Sequence, residues 1–103
     1  MLERDVERRL VKEIKNLGGL CYKFVSPGNV GVPDRILVLE SGVIIFAEIK
    51  ADKGKLTMAQ RSQISKIRGR HQRAVVVYGI PGVEKLVDLI KRSRYDLIPD
   101  ELR

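Results

Sequence analysis

At 103 residues the chain is long enough for one domain, taken as 1–103, and too short for two. Hydrophobic residues make up 44% and aromatics 5%, so an aliphatic core is affordable, while the single Cys21 excludes a disulfide framework and a multi-cysteine zinc site. Twenty Lys and Arg against thirteen Asp and Glu give +7, which favours a polyanionic partner: nucleic acid first, an acidic membrane surface second.

Residues 3–17 carry an apolar stripe of Val6, Leu10, Ile14 and Leu17 at helical spacing, and Gly18-Gly19 ends it. The charged opening Met1-Leu2-Glu3-Arg4-Asp5 offers no signal-peptide core, and no apolar run reaches ~18 residues, so a soluble cytoplasmic chain is expected. Residues 20–25 read as a strand, 26–33 as a loop, and 34–39 and 43–50 as two strands joined by Glu40-Ser41-Gly42. Thr57 with Gln60 three positions later has the spacing of a capping box, opening a helix to about Arg68 with Gly69 after it. Residues 74–78 are an apolar, β-branched strand. After Gly79 to Gly82 a last helix carries Val83, Leu86, Val87 and Ile90 on one face. The order is α-β-β-β-α-β-α, with several strands apolar on both parities, as expected of an α/β fold whose mixed sheet has helices on both faces.

The middle hairpin carries the chemistry. A three-residue loop with Gly last, in the left-handed position, pairs Leu39 with Val43. Counting inward from there sets Asp34 directly opposite Glu48, side by side on one face of the sheet, whereas a two-residue loop would move Asp34 to the opposite face. Two carboxylates so placed repel unless a cation binds between them. Lys50, two residues after Glu48, shares that face. Glu7 extends the first helix's stripe toward its N-terminus, in line with Leu10, Ile14 and Leu17, and Gln60 lies in line with Ile64 and Ile67. A carboxylate on a core-facing stripe needs a partner. Carboxylates bind hard cations such as Mg²⁺ or Mn²⁺, and an adjacent lysine can orient or deprotonate a metal-activated water. Such a set suits phosphodiester hydrolysis.

The same residues carry a resemblance. Pro33-Asp34, followed fourteen residues after Asp34 by Glu48-Ile49-Lys50, matches the PD-(D/E)XK nuclease signature. Val6-Glu7, Phe24-Val25-Ser26-Pro27-Gly28, Gly31-Val32-Pro33-Asp34-Arg35 and Gln60 narrow it: from about Asp5 to Tyr78 the chain resembles the VRR-NUC (virus-type replication-repair nuclease) family. The resemblance implies a restriction-endonuclease-like αβββαβ core. It implies functional positions at Glu7, Asp34, Glu48, Lys50 and Gln60, with metal held by Asp34, Glu48, the Ile49 carbonyl and Glu7. It also implies a homodimer related to Holliday junction resolvases and acting on branched DNA, in the cytoplasm near the nucleoid, with a phage origin open. The alternatives are a restriction-type or flap nuclease with the same chemistry, and a non-catalytic DNA-binding subunit that kept the fold.

Each residue alone has a plainer reading: Asp34 a turn residue after Pro33, Glu48 and Lys50 a solvated strand end, Gln60 a cap, Glu7 an exposed acid beside an Arg. Their joint spacing argues against coincidence. His71 reads as a surface residue. Arg4, Arg8, Lys12 and Lys15 follow one another along the first helix, Lys53 and Lys55 follow the Glu48–Lys50 strand, and Arg61 opens a further basic series on the second helix. Of these, Arg8, Lys12, Lys53, Lys55 and Arg61 are the expected DNA contacts, made to phosphates and not to bases. The apolar C-terminal end, residues 83–90 with Tyr95, Leu97 and Ile98, exceeds what one small core needs and is expected to supply a dimer interface.

Overall fold

A computed structural model describes residues 1–103. Helix α1 spans Glu3–Asn16, followed by strands β1 (Leu20–Lys23), β2 (Arg35–Val38) and β3 (Ile44–Lys50). Helix α2 (Met58–Arg68), strand β4 (Arg73–Tyr78), helix α3 (Gly79–Lys91), a 3-10 turn at Tyr95–Leu97 and a two-residue strand β5 (Glu101–Leu102) complete the chain. Every expected element is present. Two details differ. The Gly79 to Gly82 stretch, expected as a loop, is the first turn of α3: Gly79 takes φ +65, open to glycine at little cost, and Pro81 sits in the first turn, where its missing N–H costs nothing. Strand β5 was not expected, because two residues carry no periodicity.

The five strands lie in the order β1-β2-β3-β4-β5. The first three are antiparallel neighbours, whereas β3–β4 and β4–β5 are parallel, so the sheet is mixed as expected. Strand alternation divides its residues between two layers. Leu37, Ile45, Ala47, Ile49, Val75 and Val77 pack against α1 and α3, through Val6, Leu10, Ile14, Val83, Leu86, Val87 and Ile90. The other face carries Ala74, Val76 and Tyr78 against Ile64 of α2, with Phe46, Leu56 and Ile67 around them. Strands β3 and β4 are thus covered twice, which is why they read as continuous apolar runs.

Most of the apolar C-terminal set is used within the chain, while Leu97 stays exposed. Val83, Leu86, Val87, Ile90 and Leu102 are buried in the chain's own core, and Tyr95 and Ile98 pack against it. Other exposed apolar side chains include Leu20, Tyr22 and Ile44 on β1 and β3, Val25 and Val30 in the loop after β1, and Met58 at the start of α2. No helix is long and apolar enough to cross a membrane.

Candidate active site

The register of the middle hairpin sets the site. Arg35 pairs with Ala47 and Val38 with Ile44. The Leu39 N–H donates to the Val43 carbonyl, and Gly42 takes φ +91 as the three-residue loop requires. One step beyond Arg35, Asp34 falls level with Glu48. Asp34 is fixed at both ends: its carbonyl accepts from the Phe24 N–H at 2.9 Å, and its Oδ2 accepts from the Ile49 N–H at 2.8 Å. The first bond closes the base of the loop between β1 and β2. The second takes a main-chain donor of β3 just where β2 has stopped offering carbonyls.

Glu48 is 1% exposed and Lys50 8%. Lys50 Nζ stands 3.9 Å from Glu48 Oε2, and that oxygen also accepts from Gln60 Nε2 at 3.2 Å. Glu48 Oε1 is buried with no hydrogen-bond partner. Burial, then the charge of Asp34, push the Glu48 carboxyl up to about 8; Lys50 opposes them and loses. A proton on Glu48 could be shared with Asp34. Both an orphaned carboxylate oxygen in a dry environment and an acid that resists ionising beside a second acid are features that a cation would relieve.

Gln60 performs both roles that its position allows. Its Oε1 accepts from the Thr57 N–H at 2.9 Å while Thr57 Oγ1 accepts from the Gln60 N–H at 3.1 Å, the reciprocal bonds of a capping box. The cap thereby fixes which way the amide points, and its other end reaches Glu48. The loop before Asp34 is seated on the same helix end. At Gly31, φ +92, a Cβ would lie 2.5 Å from the Ala59 carbonyl carbon and 2.7 Å from the Gln60 nitrogen, so only glycine lets the two backbones approach this closely. Phe24 and Phe46, ring centroids 5.9 Å apart, stand beside this loop.

Glu7 is placed differently. The buried stripe of α1 runs through Val6, Leu10 and Ile14; Glu7 is half-buried beside it, and its Oε2 accepts from Arg35 Nε at 2.7 Å. Arg35 alternates with Asp34, so this pair sits on the α1 face of the sheet and the acid pair on the α2 face. Asp34 and Glu48 are accordingly not joined by a third Asp, Glu, His or Cys in a group able to hold a metal by side chains alone. The structure brings together Asp34, Glu48, Lys50 and Gln60, with Ile49 bonded to Asp34, and leaves Glu7 across the sheet. Arg8, Lys12, Lys53, Lys55 and Arg61 are all exposed, on α1, on the segment after β3 and on α2. His71 is exposed as expected. Arg35 was quoted within the motif but given no role; the pairing count that located Asp34 also places it next to the site, on the opposite face.

The fold and a local identity agree on the relatives. A solved structure described as "VRR_NUC domain" superposes with a TM-score of 0.78 at 30% identity, covering 84% of this chain and 94% of that one. The chain belongs to the VRR-NUC nuclease family. It is also 41% identical over 75 residues to "Putative nuclease p44" of Acyrthosiphon pisum secondary endosymbiont phage 1, which spans 73% of this chain and 81% of the phage protein. No family model matches the sequence. The VRR-NUC likeness and the mixed sheet flanked by helices bear out the family and fold expected from the motifs.

Proposed function

We propose that this VRR-NUC protein is a divalent-metal-dependent endonuclease that hydrolyses phosphodiester bonds in branched DNA. One observation carries the reading: two acids, Asp34 and Glu48, are held side by side with an unpartnered buried oxygen between the strand end and Lys50. The oxygens present fit Mg²⁺ or Mn²⁺, hard cations that keep several waters and need few protein ligands. Asp34, Glu48 and the Ile49 carbonyl would hold the ion, and Glu7 would join only by leaving Arg35. Bound there, the metal supplies an activated water and a counter-charge for the phosphate.

The chain's own groups do the rest. Lys50, nearly buried and beside Glu48, holds a positive charge where the attacked phosphate gains negative charge, and can orient the water. Gln60 fixes Glu48 Oε2 and so leaves Oε1 free for the ion. The intact set of acids and lysine favours catalysis over a binding-only subunit. The substrate class rests on charge: +7 spread over both flanks of the site, with no element laid out to read base edges, leaves DNA shape as the basis of selection.

The chain's longest dimension is 34 Å, about one helical turn of duplex, so one copy presents one site. Two cuts placed symmetrically on a four-way junction need a second copy, and the homodimer belongs to this proposal. The cellular setting follows from the substrate: a cytoplasmic protein working on nucleoid or phage DNA. The test is cleavage of labelled four-way junction, flap, nicked and linear duplex DNAs with Mg²⁺ or Mn²⁺, alongside sedimentation at micromolar protein. Preferred junction cutting by a species of about twice 11.7 kDa is expected. Preference for flaps by a monomer would favour the flap-nuclease alternative; no cleavage of any DNA with either metal would overturn the reading.

A further inference from the structure

Next to the acid pair, on the opposite face of the sheet, lies its counterpart in charge. Strand pairing sets Lys23 of β1 directly opposite Arg35 of β2. Like charges facing each other across two strands destabilise the sheet unless a counter-charge lies between them. The one carboxylate lining the hollow beside them, Glu7, is committed to Arg35 at 2.7 Å. Helix α1 adds Arg4 and Arg8, one turn apart on the side that faces Lys23. Together Arg4, Glu7, Arg8, Val11, Lys23 and Arg35 line a cavity of about 290 Å³. None of Arg4, Arg8 and Lys23 forms an ion pair with any acid of the chain. Three uncommitted cations converge on a hollow whose single acid is already neutralised.

We propose that this cavity binds a backbone phosphate of the DNA, distinct from the one cut at Asp34 and Glu48. The proposal rests on the reading of the protein as a DNA nuclease and names a second contact for the same substrate. Asp34 and Arg35 are consecutive residues on opposite faces, so a strand crossing this end of the sheet meets the acid pair on one side and the basic cavity on the other. A phosphate anchored at Lys23, Arg4 and Arg8 fixes the register of the strand relative to Glu48, which is what a site without base contacts needs. The hollow is lined by charge and one aliphatic side chain, with no aromatic platform, so it fits a phosphodiester and not a base.

The test uses the full chain, EDTA to prevent cutting, and a fluorescently labelled four-way junction DNA, whose branch point fixes the register, titrated at several salt concentrations. Arg4→Gln with Lys23→Gln alters two exposed side chains, neither in the acid site. This double variant should bind roughly tenfold more weakly at 0.1 M salt and lower the slope of log affinity against log salt by about 2. A control of equal charge, Lys85→Gln with Lys91→Gln on α3, should change affinity less than about twofold and leave the slope intact. In a scan of single methylphosphonate linkages, one neutral linkage should weaken wild type and leave the double variant unaffected. If the double variant matches the control, or no linkage distinguishes it from wild type, the cavity is no phosphate site, whatever the wild type does with Mg²⁺. If wild type binds through the cavity but cuts nothing with either metal, the phosphate site stands and the hydrolase reading falls.

Discussion

Two rows of one sheet end are built alike with opposite charge. Asp34 lies level with Glu48 on the α2 face, and Lys23 lies level with Arg35 on the α1 face. In each, strand pairing forces together like charges that would separate if free. The difference lies in solvent and partners. Glu48 is buried, so its repulsion is resolved by pushing its acidity to about 8 and leaving an oxygen unpartnered. Lys23, Arg4 and Arg8 are exposed, so water screens their repulsion and no such stress builds up. The first row is relieved by a proton on Glu48 and offers a cation an unpartnered oxygen, whereas the second offers an anion only accumulated charge, in line with the metal and phosphate roles proposed for them.

The largest effect should come from altering the acid row. Asp34→Ala or Glu48→Ala should lower cleavage by about 10³-fold or more while DNA affinity in EDTA survives, measured by gel cleavage and anisotropy. Metal-dependent cutting by both variants would remove the acid pair from the chemistry. Lys50→Met should lower turnover by roughly 100-fold with metal affinity unchanged or tighter, since a neighbouring cation has gone. Wild-type turnover would reduce Lys50 to a strand-end residue.

The electrostatic stress itself can be read from stability. Glu48 ionises at higher pH when folded than when unfolded, so between about pH 5 and 8 the folded state holds a proton that the unfolded state has lost. Its contribution is complete below pH 4.5 and fades as pH climbs to 8, so without metal this group should lower Tm by about 10 °C between pH 5 and 8. Glu48→Gln should remove that dependence, and Mg²⁺ should restore Tm at pH 8 in the wild type alone. A pH profile shared by both proteins would show that Glu48 carries no such stress. Smaller again is Gln60→Ala, expected to cost about 1 kcal/mol through the lost cap, measured by urea denaturation. Gln60→Glu keeps the capping box but sets a third carboxylate against Glu48, so its stability should depend more steeply on Mg²⁺ than that of wild type.

The acid row was legible in the sequence because a three-residue loop ending in Gly42 favours the register that places Asp34 against Glu48, and the structure adopts that loop and not the two-residue one. Gln60 was legible through Thr57, a local signal. The basic row was not. The loop from Phe24 to Asp34 is too long for its turn chemistry to set how β1 pairs with β2, so Lys23 could not be placed opposite Arg35. The partner of Glu7 was not legible for a related reason: a helical stripe tells which side faces the sheet, but a small rotation decides whether an acid at its border meets Glu48 or, as here, Arg35. Strand β5 and the glycine-rich start of α3 depend on tertiary fit, which periodicity does not record. The apolar C-terminal end showed the same limit, since sequence counts apolar residues without saying which of them the core already uses.

The bond from the Ile49 N–H to Asp34 Oδ2 makes one main-chain proton an internal spectator of the site. An amide that donates to a carboxylate resonates according to the charge on that carboxylate, and here it sits between two buried residues of the central strand, Glu48 and Lys50. In a ¹⁵N-labelled sample the Ile49 cross-peak should therefore shift when either acid of the pair gains a proton or an ion, with no probe attached to a side chain of the site. A titration with magnesium, followed at that one resonance, would time the filling of the site separately from the arrival of DNA, whose own signature should appear first at Lys23 and Arg35.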